Sequence, residues 1–351
     1  MFAFNDRLSA RLLRFFAMPL LLSLGSCDMN PTGLEMSAGW EKRSVAVWRN
    51  TRPDMLALSP NGKWLYISCE TTAATNAPSL VAINMETGRQ HFLLFGLMRA
   101  DALKFAPDGS LWIGEEFPEG LIWRISDVDK LPAEQSVDRL NLLASNDSLQ
   151  PYRPAGRFAH EGLSFSLDGK FAYLADEQEE GGIYRLRLTD RSLSVLDRDM
   201  RWQAVTEPLE ARAAATRAQA ATFNRLEDME TLPDGRILLA ETDTGKILAL
   251  TEHGDTASIE TLLHDERIVH PDNLAWDAKR RLLWITDDDK PSALWAWDGR
   301  QASRIALHKK AEITGVLPVG DDIYINLQGV KGGPELTVRI FEKPAQDPAN
   351  P

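Results

Sequence analysis

Six acidic residues recur at one offset. Asp54, Asp101, Glu161, Glu227, Asp272 and Glu312 each lie eight residues before a turn position, at 62, 109, 169, 235, 280 and 320. Only 51 of the 351 residues are Asp or Glu, so six acids in one register mark a repeat rather than background. Carboxylates brought that close repel unless positive charge sits between them. An all-oxygen cluster suits a hard cation, calcium first, with magnesium or manganese next. A second column falls where the following strand ends: Cys69, Glu115, Asp176, Glu241 and Asp287, with Asn326 or Gln328 in the last unit. A third sits two residues before the acids: Arg52, Arg99, Arg225, His270 and Lys310. Unit three has Ala159 there, with His160 and Arg157 beside it. Such a basic collar either pairs with the acid ring or forms an anion-binding rim, which favours a phosphorylated or carboxylated substrate. The plain alternative for the whole arrangement is a water-filled acidic vestibule laced with salt bridges.

The elements that position these residues follow from hydrophobic alternation. Each unit reads as an apolar strand, a tight turn and a second apolar strand, as in 56–62 followed by 64–69. Asn61-Gly62, Asp108-Gly109, Asp168-Gly169 and Asp234-Gly235 supply the positive φ that a tight hairpin needs, and Arg280 takes the glycine slot of unit five. Third strands are expected at 79–84, 120–125, 182–188, 246–250, 293–297 and 335–341. Six such units predict an all-β fold, a six-bladed β-propeller, with helical insertions on the metal-binding face. The first strand of a blade starts, and the second ends, on the same face, so the columns converge at one channel mouth. Insertions at 145–160 and 197–226 fall on that face. Thr206-Glu207-Pro208 precedes an Ala-rich stretch over 209–221 that reads as a helix, either a lid or a plain surface element.

Composition bounds the partners. The formal charge of −12 excludes a nucleic-acid backbone as partner, and no internal run of about 18 apolar residues reads as a membrane span. The N-terminus reads as a targeting segment: Arg7, Arg11 and Arg14, an apolar stretch over 15–24, then Leu24-Gly25-Ser26-Cys27. That string is a lipobox in which the Cys27 thiol takes a diacylglycerol; an ordinary secretory signal is the alternative. The expected organisation is a signal peptide at 1–26, a tether at 27–43, the propeller at 44–343 and a tail at 344–351. Residues 1–26 carry three Arg and one Asp, so the mature chain bears −14. Cys69 is then the sole free thiol. Without a twin-arginine pair the export route is Sec, which places the chain in the cell envelope facing the periplasm. Asp28 favours inner-membrane retention over the outer membrane.

Several strings resemble the PhoX-type bacterial alkaline phosphatases. They are 156–162 (Gly-Arg-Phe-Ala-His-Glu-Gly), 173–177, 182–185, 270–274, 312–315 and 326–328, and the resemblance spans about 50–341. It implies a calcium-dependent propeller that hydrolyses phosphate monoesters, in large members with a calcium–iron cluster. The family's Cys-Glu iron motif falls on Cys69-Glu70 and its His-Glu glutamate on Glu161. Thr71 stands where large members tend to have a second Glu, so calcium is the expected ion and iron the doubtful one. A lone thiol ending an apolar strand is otherwise a buried hydrophobe. On this reading the metal ligands come from Asp54, Cys69, Glu70, Asp101, Glu115, Glu161, Glu227, Glu241, Asp272, Asp287 and Glu312. Arg99, Arg225 and His270 would neutralise a transferring phosphoryl group, and His160 would serve the leaving-group proton.

Two rivals stand beside it. Six-bladed lactonases and organophosphate hydrolases also hold axial calcium at strand starts, and Asp272-Asn273 with Asp287 fits them. A lipid-tethered propeller whose metal is only structural is the non-enzymatic rival. The anchor has its own test: Cys27→Ser is expected to move the protein from the membrane to the soluble fraction, because the lipid is its sole apolar anchor. An unchanged distribution removes the lipobox reading.

Overall fold

The computed structural model describes residues 33–72, 76–138, 141–288, 290–330 and 333–343. Cys27 and the segment expected to be a signal peptide lie outside the described residues. Among the described residues no helix is long and apolar enough to cross a membrane.

The alternating segments form six sheets arranged as blades, antiparallel except where Gln135–Asp138 adds in parallel to Gln90–Phe95 at the edge of blade one, and a small two-stranded sheet pairs Glu179–Gly181 with Phe223–Asn224. Their innermost strands are Pro53–Leu58, Ala100–Phe105, His160–Phe165, Leu226–Thr231, Pro271–Asp277 and Glu312–Val319. Each contacts the innermost strands of its two neighbours, which closes the ring. All six expected third strands are present, from Pro78–Asn84 in blade one to Glu335–Glu342 in blade six. Wedges of apolar side chains weld neighbouring blades. Met55, Tyr66 and Leu80 of blade one bury against Leu103, Ile113 and Trp123 of blade two. Each large apolar side chain buried this way is worth roughly 1.5–3 kcal/mol.

Ring closure uses the other end of the chain. Trp40–Trp48 pairs antiparallel with Glu335–Glu342 and forms the outer strand of blade six. Leu34–Met36 pairs with Ala302–His308 at the edge of blade five. The expected tether over 27–43 therefore ends earlier, because residues from 34 onward already belong to blades. Trp48 is buried, and its Nε1 donates to Thr337 Oγ1 at 2.8 Å. Thr337 Oγ1 donates to Asn326 Oδ1 at 2.6 Å, and the Asn326 amide donates to the Asp54 carbonyl. The closing strand is thus linked to the first ring acid.

Every innermost strand carries a bulge near the mouth. In blade one Pro53 pairs with Cys69 and Leu56 with Ile67, so the inner strand holds one extra residue. The same slip occurs after Ala100, His160, Leu226 and Pro271, and two residues further on in blade six, between Thr314 and Val316. Two glycines let neighbouring blades approach there. A Cβ on Gly162 would sit 2.5 Å from the Glu227 carbonyl, and one on Gly315 would collide with the Asp54 carbonyl.

The helix expected over 209–221 is shorter. A 3-10 turn at Pro208–Glu210 leads into Ala211–Arg217, and Gln219, at φ +52°, ends the segment in the left-handed region. Thr216 Oγ1 bonds back to the Arg212 carbonyl at 3.0 Å, a contact that weakens a helix end. In blade five the positive φ falls on Arg281 rather than Arg280, whose guanidinium instead binds Asp277 at 2.9 Å.

Loss of the Trp48 side chain removes both wedge packing and the hydrogen bond that starts the closing chain. Trp48→Ala is expected to cost about 3–5 kcal/mol in denaturant unfolding. A loss below about 1 kcal/mol would show that the closing strand carries little of the fold.

Candidate metal centre

The bulge explains which side chains reach the mouth. Residues paired directly opposite share a face, and their successors share the other. Pro53, Ala100, His160, Leu226 and Pro271 pair with Cys69, Glu115, Asp176, Glu241 and Asp287, and all ten face away from the mouth's lining. Their successors include Asp54, Asp101, Glu161, Glu227 and Asp272, with Glu70, Glu116 and Asp288, and these do line it. The mouth encloses about 170 Å³ and adds Glu312, Arg52, Arg99 and Arg225. All six acids of the expected ring meet there, with Glu70.

Cys69, Glu115, Glu241 and Asp287 do not. Cys69 is buried among Leu65, Ile67 and Val81, and burial pushes its thiol well up, so it stays protonated and apolar. The thiolate that an iron site requires is therefore not at the mouth. The other three carboxylates brace the backbone ahead of the inner strands. Glu115 accepts from Met98 N–H at 3.0 Å, Glu241 from Asn224 N–H at 3.2 Å and Asp287 from His270 N–H at 3.1 Å. In blade one, Glu335 does this for Thr51 and Arg52 at 3.1 and 2.7 Å. What they hold is strained. Arg52, Arg99 and Arg225 adopt φ of +46°, +48° and +54°, a left-handed backbone that costs a non-glycine residue roughly 1–2 kcal/mol. Those turns, not strand alternation, aim the three guanidiniums at the ring.

His160 and His270 are absent from the lining. His160 occupies the same register as Pro53, and it is fully buried against Phe158, with ring centroids 3.9 Å apart. Its Nε2 lies 3.2 Å from the Gly156 carbonyl, and burial drives its pKa down to about 3. A neutral core histidine of that kind has no path to a leaving group. Glu116, Glu177 and Asp288 were missed by the sequence reading. They lie one residue beyond the column chosen there, and only the pairing register shows which of the two faces the channel.

The charges are badly unbalanced. Among the described residues, nine carboxylates line the mouth against three guanidiniums. Arg52 and Arg99 both bind Glu70, at 2.7 and 2.9 Å. Burial pushes Glu70 up, but these two cations outweigh it and hold its carboxyl below the usual range. Arg225 lies 2.7 Å from Glu227 and 3.0 Å from Glu177. Elsewhere burial and neighbouring carboxylates win. Asp54, Asp101, Glu161 and Asp272 are pushed well above the usual carboxylate range. Burial, then Asp101 and Glu70, lifts Glu116 to about 11; burial lifts Glu227 to about 7, and burial with Asp288 lifts Glu312 to about 7.

Among the described residues, three carboxylate groups have ligand atoms within 4.8 Å of one another: Asp54–Glu70–Asp101, Asp101–Glu116–Glu161 and Glu161–Glu177–Glu227. Asp101 and Glu161 are each shared by two of them. Asp101 is 3% exposed, and its Oδ1 is buried with no hydrogen-bond partner among the described residues. A buried oxygen without a donor, inside an all-oxygen set, fits a hard cation. The set contains neither thiol nor imidazole, which argues against iron.

No family model matches the sequence, and no curated protein matches it. Solved structures do match, as folds. A gluconolactonase from Xanthomonas campestris superimposes with a TM-score of 0.58 at 14% identity, covering 88% of this chain and 91% of that one. A luciferin-regenerating enzyme gives 0.59 at 9% identity, covering 86% and 95%. A catalytically inactive virginiamycin B lyase from Staphylococcus aureus, solved with quinupristin, gives 0.54 at 13% identity, covering 87% and 100%. The resemblance to PhoX-type phosphatases is overturned by these comparisons, since the similar structures are propellers of the gluconolactonase and virginiamycin B lyase kinds. The motif strings that carried it are built around strand ends and glycine turns that a six-bladed propeller uses for its own construction. At these identities the shared property is the six-bladed propeller itself.

Proposed function

We propose that this chain is a cation-dependent hydrolase that opens a lactone or a related ester at the acidic mouth. The observation that carries the reading is the run of three carboxylate groups sharing Asp101 and Glu161, with one Asp101 oxygen meeting no donor among the described residues. The gluconolactonases among the similar structures support the choice of a lactone over a phosphate ester. Asp101 and Glu161 with Glu116 would hold a cation, and Asp54 with Glu70 and Glu227 with Glu177 extend the set on either side, with calcium the preferred species. A divalent ion there supplies Lewis acidity toward an ester carbonyl.

The chain's own residues supply the rest. The Arg52, Arg99 and Arg225 side chains pair with carboxylates of the mouth yet remain 55%, 45% and 34% exposed, so their charge at the rim would attract an arriving oxyanion. Glu312 stands at the rim, its side chain 19% exposed, with Lys290 Nζ at 3.4 Å. A carboxyl near 7 in that place is poised to take a proton from water as it adds to the carbonyl carbon. The C–O bond of the ester then breaks, and the proton passes to the departing alkoxide, leaving a hydroxy acid.

Protein purified without chelator is expected to contain a divalent cation and to release protons from lactones but no phosphate from aryl phosphates. Chelation abolishes the activity and calcium restores it. Full cation content without turnover of any lactone or ester leaves a binding scaffold and sinks the enzymatic reading. Glu161→Gln keeps the shape and removes one ligand charge, so cation affinity, measured by calorimetry, falls by about tenfold or more together with turnover.

The raised carboxyls set the pH behaviour of the cation-free protein. Glu227 and Glu312 hold protons up to about 7 when folded, against an ordinary value of 4.5. Between those limits the folded state binds more protons than the unfolded chain, so stability falls as pH rises. In chelator the melting temperature is expected to be lower at pH 8 than at pH 5.5. Added calcium raises it most at pH 8, where the carboxylates are free of protons. A chelated protein that melts higher at pH 8 contradicts the assignment.

A further inference from the structure

Among the described residues no strand ladder joins one innermost strand to another, so the distance between acids of different blades also depends on side chains that cross the channel. One crossing is charged. Lys104 lies three residues after Asp101 on the innermost strand of blade two, and its ammonium reaches past blade three to blade four. Nζ donates to the Met229 carbonyl at 2.6 Å and to Glu230 Oε2 at 2.7 Å, and stands 3.8 Å from Asp228 Oδ1. Asp228 is 1% exposed and directly follows the ring acid Glu227. Its Oδ1 accepts from Met229 N–H at 2.7 Å, and its Oδ2 accepts from Leu274 N–H of blade five at 3.1 Å. Leu274 lies two residues after the ring acid Asp272. Glu230 extends the same tie, accepting from Trp276 N–H at 3.3 Å.

We propose that Lys104 is a positioning residue for the cation site, setting the spacing of Asp101, Glu227 and Asp272 through Asp228. The inference rests on the cation reading above and adds a residue that does not touch the mouth. Lys104 lines instead the cavity of about 280 Å³ at the other end of the channel, with Leu58, Phe105, Trp276 and Leu317. Its ammonium makes three contacts on one strand and, through Asp228, reaches a second. Three innermost strands are therefore held by one charge, each within three residues of the acid it carries. Groups that orient ligand-bearing segments in this way control metal affinity without contacting the ion.

Geometry and charge predict opposite signs, which makes the proposal testable. If Lys104 acted only as a nearby positive charge, removing it would tighten cation binding. If it positions the acids, removing it weakens binding. Calcium titration of the chelator-stripped full chain by calorimetry is the experiment, with melting in chelator as the check on folding. Lys104→Met is expected to lower calcium affinity by about 10- to 100-fold. Lys104→Arg, which keeps a donor for Glu230 and Asp228, recovers part of the loss. Should Lys104→Met not fold, Glu230→Gln loosens the same tie more gently and is expected to shift affinity in the same direction by a smaller factor. Calcium affinity equal to or tighter than wild type in a folded variant overturns the proposal while leaving the cation reading intact. Wild-type protein that takes up no divalent cation overturns both.

Discussion

Crowding of like charge at one channel mouth is the constraint from which the rest of this structure follows. Among the described residues, nine carboxylates share about 170 Å³ with three guanidiniums. An uncompensated buried carboxylate costs several kcal/mol, so the ring must hold protons or cations. The upward displacement of Asp54, Asp101, Glu161 and Asp272 is the protonated solution. The overlapping oxygen groups around Asp101 and Glu161 are the geometry of the other. A site of this kind gains affinity for a cation from the repulsion it relieves.

Holding that arrangement takes backbone irregularity. In blades one and five the bulge frees an N–H beside the acid, and a hydroxyl of the second strand accepts it. Ser68 Oγ accepts from Met55 N–H at 3.0 Å, and Thr286 Oγ1 accepts from Asn273 N–H at 2.9 Å. The left-handed arginines are braced by carboxylates that never reach the mouth. Glu115, Glu241 and Glu335 thus serve the site through the main chain, which explains why acids concentrate at these strand ends beyond the ring itself.

Closure of the ring and construction of the site are one problem. Trp48, Thr337 and Asn326 form a buried hydrogen-bonded chain that ends on the Asp54 carbonyl, and Thr314 Oγ1 donates to the Pro53 carbonyl at 3.0 Å. The joint between the last blade and the first is therefore made beside a ring acid. Gluconolactonases and a virginiamycin B lyase share the propeller, and a fold held in common by a hydrolase and a lyase does not choose a reaction. The choice falls to the mouth, whose carboxylates and arginines offer no thiolate for an iron cluster.

Alternation and turn chemistry are local, so six blades, their third strands and the register of Asp54, Asp101, Glu161, Glu227, Asp272 and Glu312 could be read from the chain alone. The family resemblance misled because its strings lie at strand ends and turns, where the construction of a blade itself constrains the residues. The sequence by itself determined which residues open each blade and that they are acidic. Tertiary structure alone decided which side of each second strand faces the channel. One extra residue in a bulge fixes that parity, turning Glu116 and Asp288 inward and Glu115, Asp287 and Cys69 away. It also decided the partners of Trp40–Trp48 and of Lys104. The closing strand pairs across nearly the whole chain, and the lysine reaches more than a hundred residues along it. No local pattern encodes such contacts; only the closed ring brings them within hydrogen-bond distance.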